Sequence, residues 1–206
     1  MKNNIIYNNP TQRAAYTYPW AYWDDCFTEE DLNNVIKYCE SFDLKMGTTG
    51  DLTEENKEKI EKIRKSQVNF HERTPDNAWI FNKINFILQN INEMYYGFDL
   101  NGYSFFQYTT YNVGDNYTWH MDTFMGDEVS ADLGGIRKLS LTLLLNDDFE
   151  GGEFLINNGR ENNPIKVISK KGRAILFPSF MIHKVEPILK GTRKSLVVWC
   201  LGPKFQ

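Results

Sequence analysis

Trp119-His120-Met121-Asp122 is the stretch of this sequence best equipped for chemistry. Side chains on a strand alternate between faces, so a strand here turns His120 and Asp122 to one side and Trp119 and Met121 to the other. An imidazole and a carboxylate side by side can serve as two adjacent ligands of a metal ion. A third ligand must come from elsewhere, and the chain has three histidines: His71, His120 and His183. His183 lies just after the apolar run ending in Phe177-Pro178 and is the candidate, whereas His71 reads as a surface or structural residue. Two histidines and a carboxylate on one side of an ion leave the opposite positions open. That arrangement suits non-haem Fe(II), which must bind a co-substrate and O2 together. A zinc enzyme could use the same residues with a water, so the triad alone does not choose between the metals.

Arg193 decides more. It follows His183 by ten positions, and a strand starting there sets Arg193, Ser195, Val197 and Trp199 on one face. A guanidinium grips a carboxylate through two parallel hydrogen bonds, and the Ser195 hydroxyl can donate a third. A dicarboxylate such as 2-oxoglutarate needs this arrangement: its distal carboxylate sits on Arg193 while its keto-acid end chelates the iron. Zinc hydrolysis would leave Arg193 without a purpose.

With these residues in place, a family resemblance is visible. Tyr111-Asn112-Val113-Gly114-Asp115-Asn116-Tyr117-Thr118-Trp119-His120-Met121-Asp122 resembles the Y-x-x-G-x-x-Y-x-x-H-x-D core of prolyl 4-hydroxylase-like Fe(II)/2-oxoglutarate oxygenases. Gly134-Gly135-Ile136-Arg137 leading into Leu139–Asn146, the turn Phe149-Glu150-Gly151-Gly152-Glu153, Lys171–Phe177, His183–Pro187 and Gly191–Trp199 continue the match, which runs from about Tyr103 to Leu201. Arg193, where collagen-type members carry Lys, resembles the bacterial PKHD-type hydroxylases and the oxygen-sensing prolyl hydroxylases. The resemblance implies a double-stranded β-helix (jelly-roll) core, Fe(II), 2-oxoglutarate and O2 as reactants, ascorbate as an accessory reductant, and hydroxylation of peptidyl proline. It implies that Tyr111 bonds the 2-oxoglutarate end of the pocket, that Tyr117 faces substrate, that Arg137 contacts a peptide and that Trp199 walls the pocket. Another protein side chain, a free amino acid or a small metabolite stays open as substrate. A halogenase of this fold needs a small residue where Asp122 stands. A jelly-roll that binds a partner, with zinc or without catalysis, is the remaining alternative.

The elements that must position these residues are legible in outline. Thr28-Glu29-Glu30-Asp31 predicts a helix start, with Leu32, Val35, Ile36 and Cys39 at helical spacing and an end near Phe42. A second helix is expected from Pro75 or Asp76 to Tyr95, with Ile80, Ile84, Ile87, Leu88, Ile91 and Tyr95 as its apolar stripe. Met46–Lys65 reads as a polar loop or weak helix, and Lys65–Phe70 as a short strand. After Gly97, strands are expected at Tyr103–Tyr111, Thr118–Asp122, Leu139–Leu145, Glu153–Ile156, Ile165–Ile168, Ala174–Phe177 and Ser195–Leu201, separated by Gly- and Asn-rich turns. Helices followed by many short strands predict an α+β fold with a jelly-roll core: one domain over residues 1–206, with 1–97 as strand and helix support and 98–206 as the catalytic core. The polar loop Thr123–Asp132 is expected to act as a lid, and the aromatic stretch up to Phe27 to pack as an outer strand.

Composition agrees. Aromatic residues make up 15% of the 206 residues, which favours strands and pocket walls, and the net charge of −4 gives no basic footprint for nucleic acid. Three cysteines, Cys26, Cys39 and Cys200, have no metal-binding spacing and read as free thiols in a reducing compartment. No apolar run long enough for a membrane helix is present, and the Asn-rich start lacks a signal-peptide core, so a cytoplasmic location is expected.

Overall fold

Thr28 starts the first helix with a reciprocal cap: its Oγ1 accepts the Asp31 N–H at 3.1 Å, and the Asp31 carboxylate accepts the Thr28 N–H at 2.8 Å. The computed structural model describes residues 18–48, 58, 62–123, 135–157, 159 and 164–204. Helix α1 (Glu29–Glu40) buries Leu32, Val35 and Cys39 and ends two residues short of Phe42. Helix α2 (Ala78–Ile91) begins after Asn77, whose amide is engaged with Thr74 N–H and Glu72 O, and buries Ile80, Ile84, Ile87, Leu88 and Ile91 as the spacing predicts. Tyr95 departs from the stripe. A π-turn (Asn92–Tyr96) follows Ile91, ending at Gly97 in the left-handed region at φ 61°. One π-turn takes about five residues where an α-turn takes about four. Tyr96 therefore falls into the core after Ile91, while Tyr95 turns outward against the edge of Tyr18.

Among the described residues, fourteen strands, numbered in chain order, follow one antiparallel scheme. The main sheet runs β1 (Ala21–Trp23), β11 (Ala174–Pro178), β7 (Ile136–Leu144), β14 (Arg193–Gly202), β5 (Phe105–Tyr111), β4 (Gln67–Glu72) and β2 (Lys45–Met46). The second sheet runs β10 (Ile165–Val167), β9 (Phe154–Asn157), β12 (Ile182–Val185), β6 (Asn116–His120) and β3 (Arg64–Lys65). A separate two-stranded ribbon pairs β8 (Glu150–Gly151) with β13 (Ile188–Lys190). β1 is the outer strand expected of the aromatic N-terminal stretch, of which residues 1–17 lie outside the described residues.

The main sheet is buried on both faces. Leu139, Leu141 and Leu143 of β7, Leu196, Val198 and Cys200 of β14, and Phe106 and Tyr108 of β5 join one core with the apolar stripes of α1 and α2. Alternation sends Ser140 and Thr142, Ser195 and Val197, and Gln107 and Tyr111 to the opposite face. Against that face the second sheet contributes Phe154, Ile156, Val167 and Val185 to a smaller core. The polar half of Leu139-Ser140-Leu141-Thr142-Leu143 thus points into the interior between the sheets, not into solvent.

The edge strand β1 is stapled by Arg173, whose Nε and Nη2 donate to Asp24 Oδ1 and Oδ2 at 2.8 and 2.7 Å, with the guanidinium over the Tyr22 ring at 4.2 Å. The hydrogen bond from Arg173 holds the Asp24 carboxyl below its usual range. Asp24→Asn is expected to lower stability by about 1 kcal/mol near neutral pH, because the pair is bidentate but part-exposed. A depressed carboxylate contributes above its unfolded pKa of about 4 and loses that contribution as pH falls through its folded value. Urea denaturation of wild type and variant should show the gap closing below about pH 4.

The three cysteines are free, with Cys39 and Cys200 buried and Cys26 part-buried. His71 is buried, not on the surface: its Nε2 lies 2.8 Å from Asn69 Oδ1 and its ring 5.1 Å from Phe106. Among the described residues no helix is long and apolar enough to cross a membrane.

Candidate metal centre

His120 ends β6, and His183 sits directly opposite it on β12, ring centroids 4.1 Å apart. His183 therefore has a strand of its own, which the sequence reading placed only in the stretch after β11. Each imidazole lies with Nδ1 2.8 Å from the carbonyl two residues earlier, Thr118 for His120 and Met181 for His183. A carbonyl can only accept, so Nδ1 carries the hydrogen and the Nε2 lone pair of each ring is left for a ligand. These Nε2 atoms lie 3.8 and 3.7 Å from Asp122 Oδ1 and Oδ2. One donor atom from each of the three residues lies within 4.8 Å of the others, a spacing at which one small cation can be held.

Asp122 reaches this position differently from the strand expected at Thr118–Asp122. β6 stops at His120, and Asp122 lies in the bend beyond it, its N–H bound to Ser179 O at 2.9 Å. Its carboxylate accepts the Ser140 hydroxyl at 2.6 Å, and Ser140 Oγ lies 2.9 Å from Ser179 Oγ. Burial pushes the Asp122 carboxyl up, but His183, His120, the Ser140 hydrogen bond and Arg137 outweigh it and hold the group below its usual range. Burial, and then the neighbouring His183, push His120 down to about 4, so its imidazole is neutral at neutral pH. The neutral His120 imidazole beside an ionised carboxylate is in the protonation state a divalent cation requires. Ser140→Ala is expected to weaken metal binding roughly ten- to a hundredfold by freeing the carboxylate to rotate. Equilibrium titration with Ni(II) or Co(II) measures it.

A β-bulge shapes the wall beside His120. His183 pairs with His120 and Val185 with Tyr117, so three steps on β6 oppose two on β12. The extra residue returns Tyr117 to the face of His120, where the rings stack at 3.4 Å.

Arg193 begins β14 opposite Tyr111 and is 2% exposed. Its Nη1 donates to Ser195 Oγ at 3.1 Å, and its buried Nε has no hydrogen-bond partner among the described residues. No described carboxylate pairs with it, in contrast to Arg173. Gly152, at φ +65°, leaves room for this side chain: a Cβ there would stand 3.1 Å from Arg193 Cδ and 2.4 Å from Ile188 Cδ1. His120, Asp122, His183, Arg193, Ser195, Tyr111, Tyr117 and Trp199 line a single cavity. Arg137 stands at its edge, its guanidinium 4.2 Å over the Trp199 ring and its Nη1 donating to Asp122 O at 3.2 Å. The sequence reading missed Arg64, Gln107, Ser140 and Ser179; for Ser140 the signal was the buried polar half of an alternating strand. Of the expected lid, only Thr123 falls within the described residues.

Residues 106–201 match the family model described as the 2OG-Fe(II) oxygenase superfamily. The chain is also similar to PKHD-type hydroxylases. One from Psychrobacter sp. is 33% identical over 94 residues, covering 45% of this chain and 36% of that protein. The chain thus matches little more than a third of that relative's length. Among solved structures, a Pseudomonas putida prolyl-4-hydroxylase shares the fold at a TM-score of 0.70 and 18% identity, covering 90% of this chain and 94% of its own. A Trichoplax adhaerens prolyl hydroxylase, solved with a hypoxia inducible factor peptide fragment, gives a TM-score of 0.69 at 17% identity, covering 89% and 83%. The shared fold is the double-stranded β-helix.

Proposed function

We propose that this protein is an Fe(II)- and 2-oxoglutarate-dependent dioxygenase that hydroxylates a substrate carbon, and that its substrate is a prolyl residue in a peptide. The observation that carries the reading is a buried Arg193, without a carboxylate partner among the described residues, in the same cavity as His120, Asp122 and His183. The two histidines and the aspartate fit a metal that needs open positions opposite three protein ligands. A buried guanidinium without a counter-ion fits a carboxylate delivered by a co-substrate, because an isolated buried charge is otherwise costly.

In this reading His120, Asp122 and His183 hold Fe(II), and Ser140 fixes the Asp122 carboxylate. Arg193 binds the distal carboxylate of 2-oxoglutarate, Ser195 adds a hydroxyl donor, and Tyr111 closes that end of the pocket. Bound iron supplies O2 activation coupled to conversion of 2-oxoglutarate to succinate and CO2, with ascorbate as accessory reductant. Tyr117, Trp199 and Arg137 face the substrate and keep bulk water from the reacting carbon. Proline as target rests on the names of the structural neighbours, and a cytoplasmic setting on three unpaired thiols.

The test is a visible spectrum of metal-free protein supplied anaerobically with Fe(II) and 2-oxoglutarate. A weak charge-transfer band is expected, followed by succinate release with proline-containing peptides in air. No band together with no calorimetric binding of 2-oxoglutarate overturns the reading in favour of a zinc-binding or non-catalytic jelly-roll.

A further inference from the structure

Arg64 is 6% exposed and lines the same cavity as the triad. It is carried in by β3, a two-residue strand paired to β6 at Tyr117. Its Nε donates to Ser66 Oγ at 2.9 Å and its Nη1 to Thr48 O at 3.5 Å, so that Nη2 is left for a ligand, and its guanidinium lies 4.9 Å over the Tyr117 ring. Tyr117 has His120 stacked on one face, which leaves the other to Arg64. No described carboxylate forms an ion pair with Arg64, Arg137 or Arg193, although Arg173 on the outside of the fold has one.

The charge of the site then needs explaining. Among the described residues, the cavity and its edge hold three guanidiniums and one carboxylate, Asp122. A divalent metal and a dianionic co-substrate cancel each other, and Arg193 and Asp122 cancel likewise. Arg64 and Arg137 remain, both aligned on aromatic walls of the cavity, over Tyr117 and Trp199. Burying cations without anions is costly, and an arginine stacked on an aromatic ring keeps its hydrogen-bonding edge for a ligand. We propose that Arg64, with Arg137, is the receptor for a carboxylate on the substrate, so that the enzyme selects an anionic substrate whose acidic group lies close to the carbon it hydroxylates. The proposal rests on the dioxygenase reading above. It concerns the specificity of that same site and assigns Arg64 a role in substrate binding, distinct from that of Arg193 in co-substrate binding.

The experiment uses the full chain loaded with Ni(II) and saturated with 2-oxoglutarate, whose own binding is measured first by calorimetry. Matched capped peptides, with proline flanked by Glu or by Gln, are then titrated in, alongside free L-proline. The Glu peptide should bind roughly ten- to a hundredfold more tightly than the Gln peptide, the worth of one charge-assisted contact, and the difference should shrink with salt. Arg64→Gln should erase the difference while 2-oxoglutarate affinity and melting temperature hold, and Arg64→Lys should restore part of it. Tight binding of free L-proline, with capped peptides excluded, assigns the carboxylate to a free amino acid instead of a peptide side chain and also supports the receptor. Equal binding of both peptides, no binding of any of the three probes, or selectivity that survives Arg64→Gln overturns the proposal. An Arg64→Gln variant that loses 2-oxoglutarate instead makes Arg64 a co-substrate residue and overturns it too. If wild-type protein fails to bind 2-oxoglutarate at all, the dioxygenase reading itself falls.

Discussion

His183→Ala is expected to abolish stable metal binding and, with it, the charge-transfer band in the presence of Fe(II) and 2-oxoglutarate. His183 is one of three donors within 4.8 Å, and its partner across the strand pair, His120, cannot close the gap alone. Losing one of three protein ligands leaves a site of one imidazole and one carboxylate, which is common on protein surfaces and binds divalent ions weakly. The effect should exceed that of Ser140→Ala by a wide margin, because Ser140 orients a ligand without being one. The fold should survive, since β12 is held to β9 through four residue pairs that do not need the imidazole. Metal content of the purified variant, read beside its circular dichroism, checks both statements. A His183→Ala protein that retains stoichiometric metal would sink the assignment of the triad.

Arg193→Met is expected to separate ligand binding from stability. Two or three charge-assisted hydrogen bonds would be lost with the guanidinium, each worth roughly 1.5–3 kcal/mol, so 2-oxoglutarate affinity should fall at least a hundredfold. Metal binding should change little, since Arg193 touches none of the three ligands in the structure. Without 2-oxoglutarate the variant should be as stable as wild type or more so, because methionine replaces a buried cation that has no counter-ion among the described residues. Wild-type protein should gain melting temperature on adding 2-oxoglutarate with Mn(II), and the variant should not. A destabilised Arg193→Met protein that still binds 2-oxoglutarate normally would show Arg193 to be structural.

Most of this site could be read from the sequence, and the parts that could not have a common cause. His120, Asp122, His183 and the period-two row from Arg193 to Trp199 are recognisable because residue type and local spacing carry them. The alternation rule put His120 and Asp122 on one side, although Asp122 has already left the strand and is aimed by Ser140 and Ser179. Register is non-local, and there the reading ran out. Nothing in Tyr117-Thr118-Trp119-His120 announces the bulge that stacks Tyr117 on His120. β12, which carries His183, is a short strand whose partners lie 25 or more residues earlier in the chain. Arg64 was absorbed into a polar stretch because a two-residue strand leaves no periodicity to detect. On α2 the stripe was correct until the π-turn changed the phase, which is why Tyr96 and not Tyr95 reaches the core.

The position of β14 has a consequence for synthesis. This strand lies between β7 and β5 at the centre of the main sheet, yet follows both in the chain. While a ribosome is still making residues before Arg193, β5 and β7 each offer an unpaired edge to any other extended chain. A nascent protein of this topology is therefore exposed to aggregation until residues 193–202 have emerged, and translation stalled short of them should leave a product that chaperones or proteases capture. Arg193, the residue proposed to bind the co-substrate carboxylate, is the first residue of that strand, so the proposed pocket stays incomplete until β14 has docked.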